Sequence, residues 1–126
     1  MIRDAEGKDL TFEIEFLECI LREPGEHLDV LEMLAGYYTR VGRIDDGLAL
    51  DQKLVVLQPD NATALYNLAC SLALKERKAE AVARLREAIE NGYDDFSWML
   101  RDPDLNGLQP FPPFQALLTE FQIPEA

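Results

Sequence analysis

Basic and nucleophilic chemistry is scarce in this sequence. Lys and Arg number 12 against 24 Asp and Glu, which leaves a formal net charge of −12. Nucleic acid binding needs a basic face, so that class is excluded, and anionic membrane surfaces are disfavoured. There is one histidine, His27, in the turn after Pro24-Gly25, and it reads as a solvated turn residue. With no second histidine and no serine in a nucleophile turn, no catalytic triad can be assembled. The glycines form no phosphate-cradling loop, and the carboxylates lack the spacing of a calcium hand. Asp45-Asp46 and Asp94-Asp95 sit at helix starts, where negative charge suits the helix dipole. No enzyme activity and no cofactor are expected. The two cysteines, Cys19 and Cys70, are too few and too far apart for a disulfide framework or a metal site. Each falls at an apolar helical position and is expected to be a buried free thiol. No run of 18 apolar residues is present, and MIRDAEGKDL lacks the apolar centre of a signal peptide. The cytoplasm is the expected location, and no membrane partner is expected.

What the sequence does have is helical periodicity. Residues 1–8 lack it and read as a flexible tail. From Asp9 to Arg22, Leu10, Ile14, Leu17 and Leu21 recur at helical spacing, and Phe12, Phe16, Cys19 and Ile20 widen the stripe so far that two neighbours can cover it. Asp9 is the expected N-cap, and Glu23-Pro24-Gly25 the stop. Helices follow over Glu26–Arg40, Asp45–Leu57, Ala62–Lys75 and Ala79–Glu90. They are separated by Val41-Gly42-Arg43, Pro59-Asp60-Asn61 and a tight turn, and closed by Asn91-Gly92. Nothing alternates with period two, so the fold is expected to be all-α. The acid is concentrated in the first 34 residues, which hold ten carboxylates, either as a solvating surface or as an end that attracts a basic partner.

The helices repeat. At an offset of 34 residues, Leu31 matches Leu65, Leu34 matches Leu68, Ala35 matches Ala69, Arg43 matches Arg77, Gly47 matches Ala81 and Leu54 matches Ala88. A period of that length built from two helices signals a short solenoid of antiparallel helix pairs. Small residues at 35, 47, 69 and 81 are expected where paired helices cross closely.

This arrangement resembles the tetratricopeptide repeat. The first repeat carries Leu31, Leu34, Ala35, Tyr38, Gly42, Gly47, Leu54 and Pro59; the second carries Leu65, Leu68, Ala69, Leu72, Ala81 and Ala88, with Tyr93 where proline would fall. Leu54, and Leu72 in place of an aromatic, depart from the family pattern but stay apolar. The resemblance implies a right-handed superhelix in one domain over 9–126: a half repeat (9–24), two repeats (28–61 and 62–95) and a closing segment (96–126). That last segment, with Asp102-Pro103-Asp104-Leu105, Pro113, Phe114 and Leu117-Leu118, is similar to the end of many bacterial tetratricopeptide proteins. It is expected to cap the apolar end, with Trp98 and Phe114 as anchors; a ligand pocket around Trp98 is the alternative. In this family the first helix of each pair lines a concave groove. The ligand-facing positions map to Asp29, Glu32, Met33, Gly36, Thr39 and Arg40, and in the next repeat to Thr63, Tyr66, Asn67, Cys70, Ala73 and Leu74. The implied function is protein–protein interaction: the groove takes a peptide or helix with basic and apolar groups. The cations that clamp an acidic C-terminal tail in some members are missing. A small acidic chaperone for a secreted or assembled client, and a self-associating structural subunit, are the alternatives.

Overall fold

The computed structural model describes residues 1–124; the last two positions of the expected cap, 125 and 126, lie outside it. The fold is all-α. Among the described residues, seven α-helices and one 3-10 helix run in the order α1 (Thr11–Leu21), α2 (Leu28–Arg40), α3 (Ile44–Leu57), α4 (Ala62–Leu74), α5 (Lys78–Glu90), α6 (Phe96–Arg101), η1 (Pro103–Leu108) and α7 (Pro112–Glu120). Among the described residues there is no strand, only an isolated antiparallel bridge between Arg3 and Asp9. None of these helices is long and apolar enough to cross a membrane. The chain divides into two compact units, Met1–Leu57 and Gln58–Ala126.

In the first unit α1 packs on α2, and α2 on α3. Leu10, Ile14, Leu17, Leu34 and Tyr38 form the buried centre. Each such side chain is stabilised by roughly 1.5–3 kcal/mol through removal from water. Residues 2–10 are not a free tail. Ile2 packs on this centre, its N–H donates to Thr11 Oγ1 (2.6 Å), and its carbonyl accepts from Leu10 N–H (2.7 Å). Asp9 does not cap α1 as expected. Leu10 holds the capping position while Asp9 Oδ1 accepts from both the N–H and the hydroxyl of Thr11. Leu10 is fully buried, and that burial sets where the helix can begin. His27 has φ 48°, and its Nε2 lies 3.0 Å from the carbonyl oxygen of Glu23, so the side chain closes the α1–α2 turn.

In the second unit α4 packs on α5, α5 on α7, and η1 lies against both α4 and α6. Asn61 caps α4, its side chain accepting from Ala64 N–H. Phe114, Met99, Leu105, Leu108 and Leu117 are completely buried. Phe114 is therefore the anchor expected of it, whereas Trp98 is 42% exposed and Met99, its neighbour, points inward instead. Periodicity cannot choose between adjacent apolar residues on a helix of only six residues.

The 34-residue period extends to individual hydrogen bonds. Arg43 N–H donates to Tyr38 C=O (2.8 Å) and Arg77 N–H to Leu72 C=O (2.9 Å); Gly42 N–H donates to Thr39 C=O and Glu76 N–H to Ala73 C=O. This pair of bonds closes a helix through one left-handed residue. That residue is Gly42 (φ 85°) in the first unit and Glu76 (φ 63°) in the second, where a side chain tolerates a conformation that glycine adopts freely. Arg43 pairs with Asp46 and Arg77 with Glu80, again 34 apart.

Helices α2 and α3 cross closely at Gly47. A Cβ added at Gly47 would lie 2.8 Å from Thr39 Oγ1 and 3.1 Å from Ala35 O. The positions equivalent to Thr39 and Gly47 are Ala73 and Ala81, so bulk on one helix is matched by its absence on the other. Gly47→Ala is therefore expected to lower stability by about 1–3 kcal/mol through overpacking, although alanine is the better helix former. In the Thr39→Ala background the cost should shrink, because only the contact with the Ala35 carbonyl oxygen remains. Thermal denaturation of the two single variants and the double variant measures the coupling, and simple additivity would contradict the packing described.

Candidate functional site

Of the expected ligand-facing positions all but Thr39 fall on one side of α2; Thr39 instead turns toward Gly47, and its hydroxyl donates to Ala35 C=O. Leu31, Leu34, Ala35 and Tyr38 are buried, and on the opposite side Asp29, Met33, Gly36 and Arg40 are exposed, with Glu32 half-buried at the edge. This follows from the helical period: 29, 33, 36 and 40 fall on one line, about half a turn from 31, 34, 35 and 38. Met33 is 51% exposed, and nothing lies within 4 Å of a Cβ built on Gly36. The result is a shallow open strip, with an adaptable apolar side chain in the middle and carboxylates toward the N-terminal end. Arg40 is not free to act there as a lone cation. Its guanidinium pairs with Asp4 at 2.9 Å and lies over the Tyr37 ring, 5.6 Å from its centroid. The N-terminal segment thus neutralises the basic residue of this strip.

The corresponding strip of α4 is partly filled by the chain itself. Thr63 and Leu74 are exposed and Asn67 is half-buried, but Tyr66, Cys70 and Ala73 are buried, contrary to the groove-lining places expected of them, while for Cys70 the burial agrees with the buried thiol also expected. For Tyr66 and Cys70 the cause is η1, which packs on α4. Asp102 caps η1 by accepting from Asp104 N–H through Oδ1 (3.0 Å). Its Oδ2 accepts from the Tyr66 hydroxyl at 2.7 Å, and the Cys70 thiol donates to the same oxygen at 3.6 Å. The Tyr66 ring stacks on Tyr93, 4.3 Å between centroids and 7° from parallel. Pro103 follows the cap at the first helical position, where its missing N–H costs nothing. The reach of Asp102 to Tyr66 was not legible in the sequence, because the two are 36 residues apart and neither belongs to the other's local period.

Burial governs the titration of this cluster. It pushes the Tyr66 hydroxyl and the Cys70 thiol well above their ordinary ranges and Tyr93 up to about 12. Cys70 is accordingly an inert thiol. Cys19, also expected to be buried, is exposed on α1, and both cysteines are free. Sγ of Cys70 and carboxylate oxygens of Asp102 and Asp104 lie within 4.8 Å of one another, close enough to share a metal ion. Donors of the protein already occupy both oxygens of Asp102, so the cluster ties η1 to α4. Asp104 is raised from 3.8, by burial first and by the neighbouring Asp102 second. For a carboxyl raised by folding, the penalty is absent below the unfolded value and fully present above the folded one. Asp104→Asn is therefore expected to raise the melting temperature at pH 7, and the gain should disappear as the pH falls below the ordinary carboxyl range. A gain independent of pH would point to a different cause.

A cavity of about 530 Å³ opens between α6 and the C-terminal segment, lined by Phe96, Ser97, Leu100, Arg101, Gln109, Gln115 and Pro124. Trp98 does not line it and stands outside under Arg101, whose guanidinium carbon is 5.9 Å from the ring centroid. Several polar side chains at the cavity are committed to backbone carbonyls: Arg101 Nε–H donates to Ser97, Gln109 to Leu100 and Gln115 to Gln109.

No known family profile matches the chain. Over 87 residues it is 28% identical to a chloroplastic protein of Arabidopsis thaliana, an alignment covering 67% of this chain and 26% of that protein. The chain thus spans about a quarter of the length of this relative.

Proposed function

We propose that the chain is a tetratricopeptide-type module that binds another protein and performs no chemistry of its own. The repeated helix-closing bonds support the repeat reading. The observation that carries the binding reading is the open strip of α2: Asp29, Glu32, Met33 and Gly36 face outward while the same helix is fully engaged on its other side. A strip of this kind takes an extended peptide or a helix. Its carboxylates select a ligand with Lys or Arg, and Met33 offers an apolar contact beside them. Recognition is assigned to α2 rather than shared with Tyr66 and Cys70, since η1 already covers those two side chains.

An array of short peptides graded in charge and apolar content tests this. Peptides combining basic and apolar residues should be retained, and acidic ones of equal length should not. Gly36→Arg introduces bulk and positive charge where space is open, so the fold should survive. The Kd of the best peptide should nevertheless rise about tenfold or more, a loss of about 1.4 kcal/mol. An unchanged Kd would remove the α2 strip as the binding site.

A further inference from the structure

Helix α1 is apolar around most of its circumference, and only part of it is covered. Ile14 and Leu17 face α2 and are buried, while Phe12 is 73% and Phe16 54% exposed, with the exposed Cys19 one turn further on. The two rings stack on each other, 5.8 Å between centroids and 9° from parallel. Positions 12, 16 and 19 form one line on the side away from the buried residues. Two large aromatic rings held side by side in water make an unusual surface for a helix whose other face is already satisfied.

The charge on helix α1 itself is of one sign, and exposed Arg22 follows at its C-terminal cap. Helix α1 contains Glu13, Glu15 and Glu18 and no basic residue. Glu18 is engaged by the Tyr38 hydroxyl, whereas Glu15 is exposed beside the aromatic line. The whole unit Met1–Leu57 carries thirteen carboxylates against six basic side chains. A second copy would bring the same acidic face against its own, which electrostatics opposes. A basic helix would complement it.

We infer that the Phe12–Phe16–Cys19 face of α1 is a second docking surface, and that its occupant is an amphipathic helix of a partner protein with apolar residues on one side and Lys or Arg along the flanks. The partner's apolar side chains pack on the ring pair and the Cys19 thiol, and its cations reach the exposed Glu15. This surface is distinct from the α2 strip, and neither depends on the other.

The test uses the full chain and an 18-residue peptide of leucine and lysine, with leucines spaced to form one helical stripe. Two controls accompany it: one of identical composition with the stripe broken, and one with Glu in place of Lys. Affinity is read by anisotropy of a dye on the peptide, and the site by the rate at which a maleimide alkylates Cys19. The striped basic peptide should bind and slow alkylation at least fivefold, and both controls should bind at least tenfold more weakly. Phe12→Ser with Phe16→Ser should raise at least tenfold the peptide concentration that protects Cys19, with the circular dichroism spectrum unchanged, and Gly36→Arg should leave that concentration within twofold. Should the double variant lose its fold, Glu15→Lys serves instead, and is expected to shift preference from the Lys peptide toward the Glu peptide. The inference is overturned by any of three results: no binding of the striped peptide, a protecting concentration indifferent to the α1 substitutions, or a wild-type dimer that the double variant converts to monomer.

Discussion

Replacing Phe114 with alanine should destabilise the protein by about 3–5 kcal/mol, while replacing Trp98 should cost clearly less, about 1–2 kcal/mol. Both are large aromatics in the C-terminal segment, and size alone would rank the tryptophan first. The structure separates them. Phe114 is completely buried on α7, which packs against α5, so its loss leaves a cavity in a close-packed interior. Trp98 keeps 42% of its surface in water, and its ring is bordered on one side by the long side chain of Arg101. Urea denaturation followed by circular dichroism gives both values. Equal losses would mean that the segment is held by its two aromatics jointly and that the packing described for α7 is wrong.

The second large effect is expected at Asp102. Its carboxylate accepts from the Tyr66 hydroxyl, the Cys70 thiol and the Asp104 amide, and the residue is 5% exposed. Asp102→Ala removes a helix cap, at about 1 kcal/mol, and leaves a buried hydroxyl without an acceptor, at about 1–3 kcal/mol more. A total loss of about 2–4 kcal/mol is expected. Tyr66→Phe should cost only about 1 kcal/mol, because it deletes the donor and leaves Asp102 with its other two partners. Thiol reactivity offers an independent readout. Cys70 should stay unreactive in the wild type and become accessible in Asp102→Ala as η1 loosens from α4, while Cys19 reacts in both. If Cys70 remains protected in the variant, something other than Asp102 holds η1 in place.

These residues also mark how far sequence alone reaches. The helices and their order follow from the 3.6-residue period, and the pairing from the small residues 34 apart, because a helix crossing admits only a few side-chain sizes. The contact of Thr39 with Gly47 was not part of that pattern, since Thr39 was expected on the ligand-facing side of α2. Periodicity fails where a helix is apolar on nearly every side. In α1 it could not decide which stripe faces inward, so Cys19 was expected inside and lies outside. It also fails for contacts between segments that share no period. Ile2 returns to the core through two hydrogen bonds from a stretch with no pattern, and η1 covers Tyr66 through a bond spanning 36 residues. The α2 strip was placed through the resemblance, and Asp29, Met33, Gly36 and Arg40 on it are exposed. The α4 strip was placed the same way, but η1, from elsewhere in the chain, covers part of it.

The account rests most heavily on recognition by the open strip of α2, and mapping on the labelled protein examines it directly. Backbone amide resonances of a uniformly ¹⁵N-labelled sample are followed while the best basic-apolar array peptide is titrated in. Shifts should concentrate on Asp29 to Arg40, with Met33 and Gly36 among the largest, and the amides of Tyr66, Cys70 and Asp102 should stay in place. Shifts confined to Phe12, Phe16 and Cys19 would favour the α1 face and remove the α2 strip. Shifts centred on Tyr66 and Cys70, with η1 displaced, would contradict the claim that α4 is occupied by its own chain.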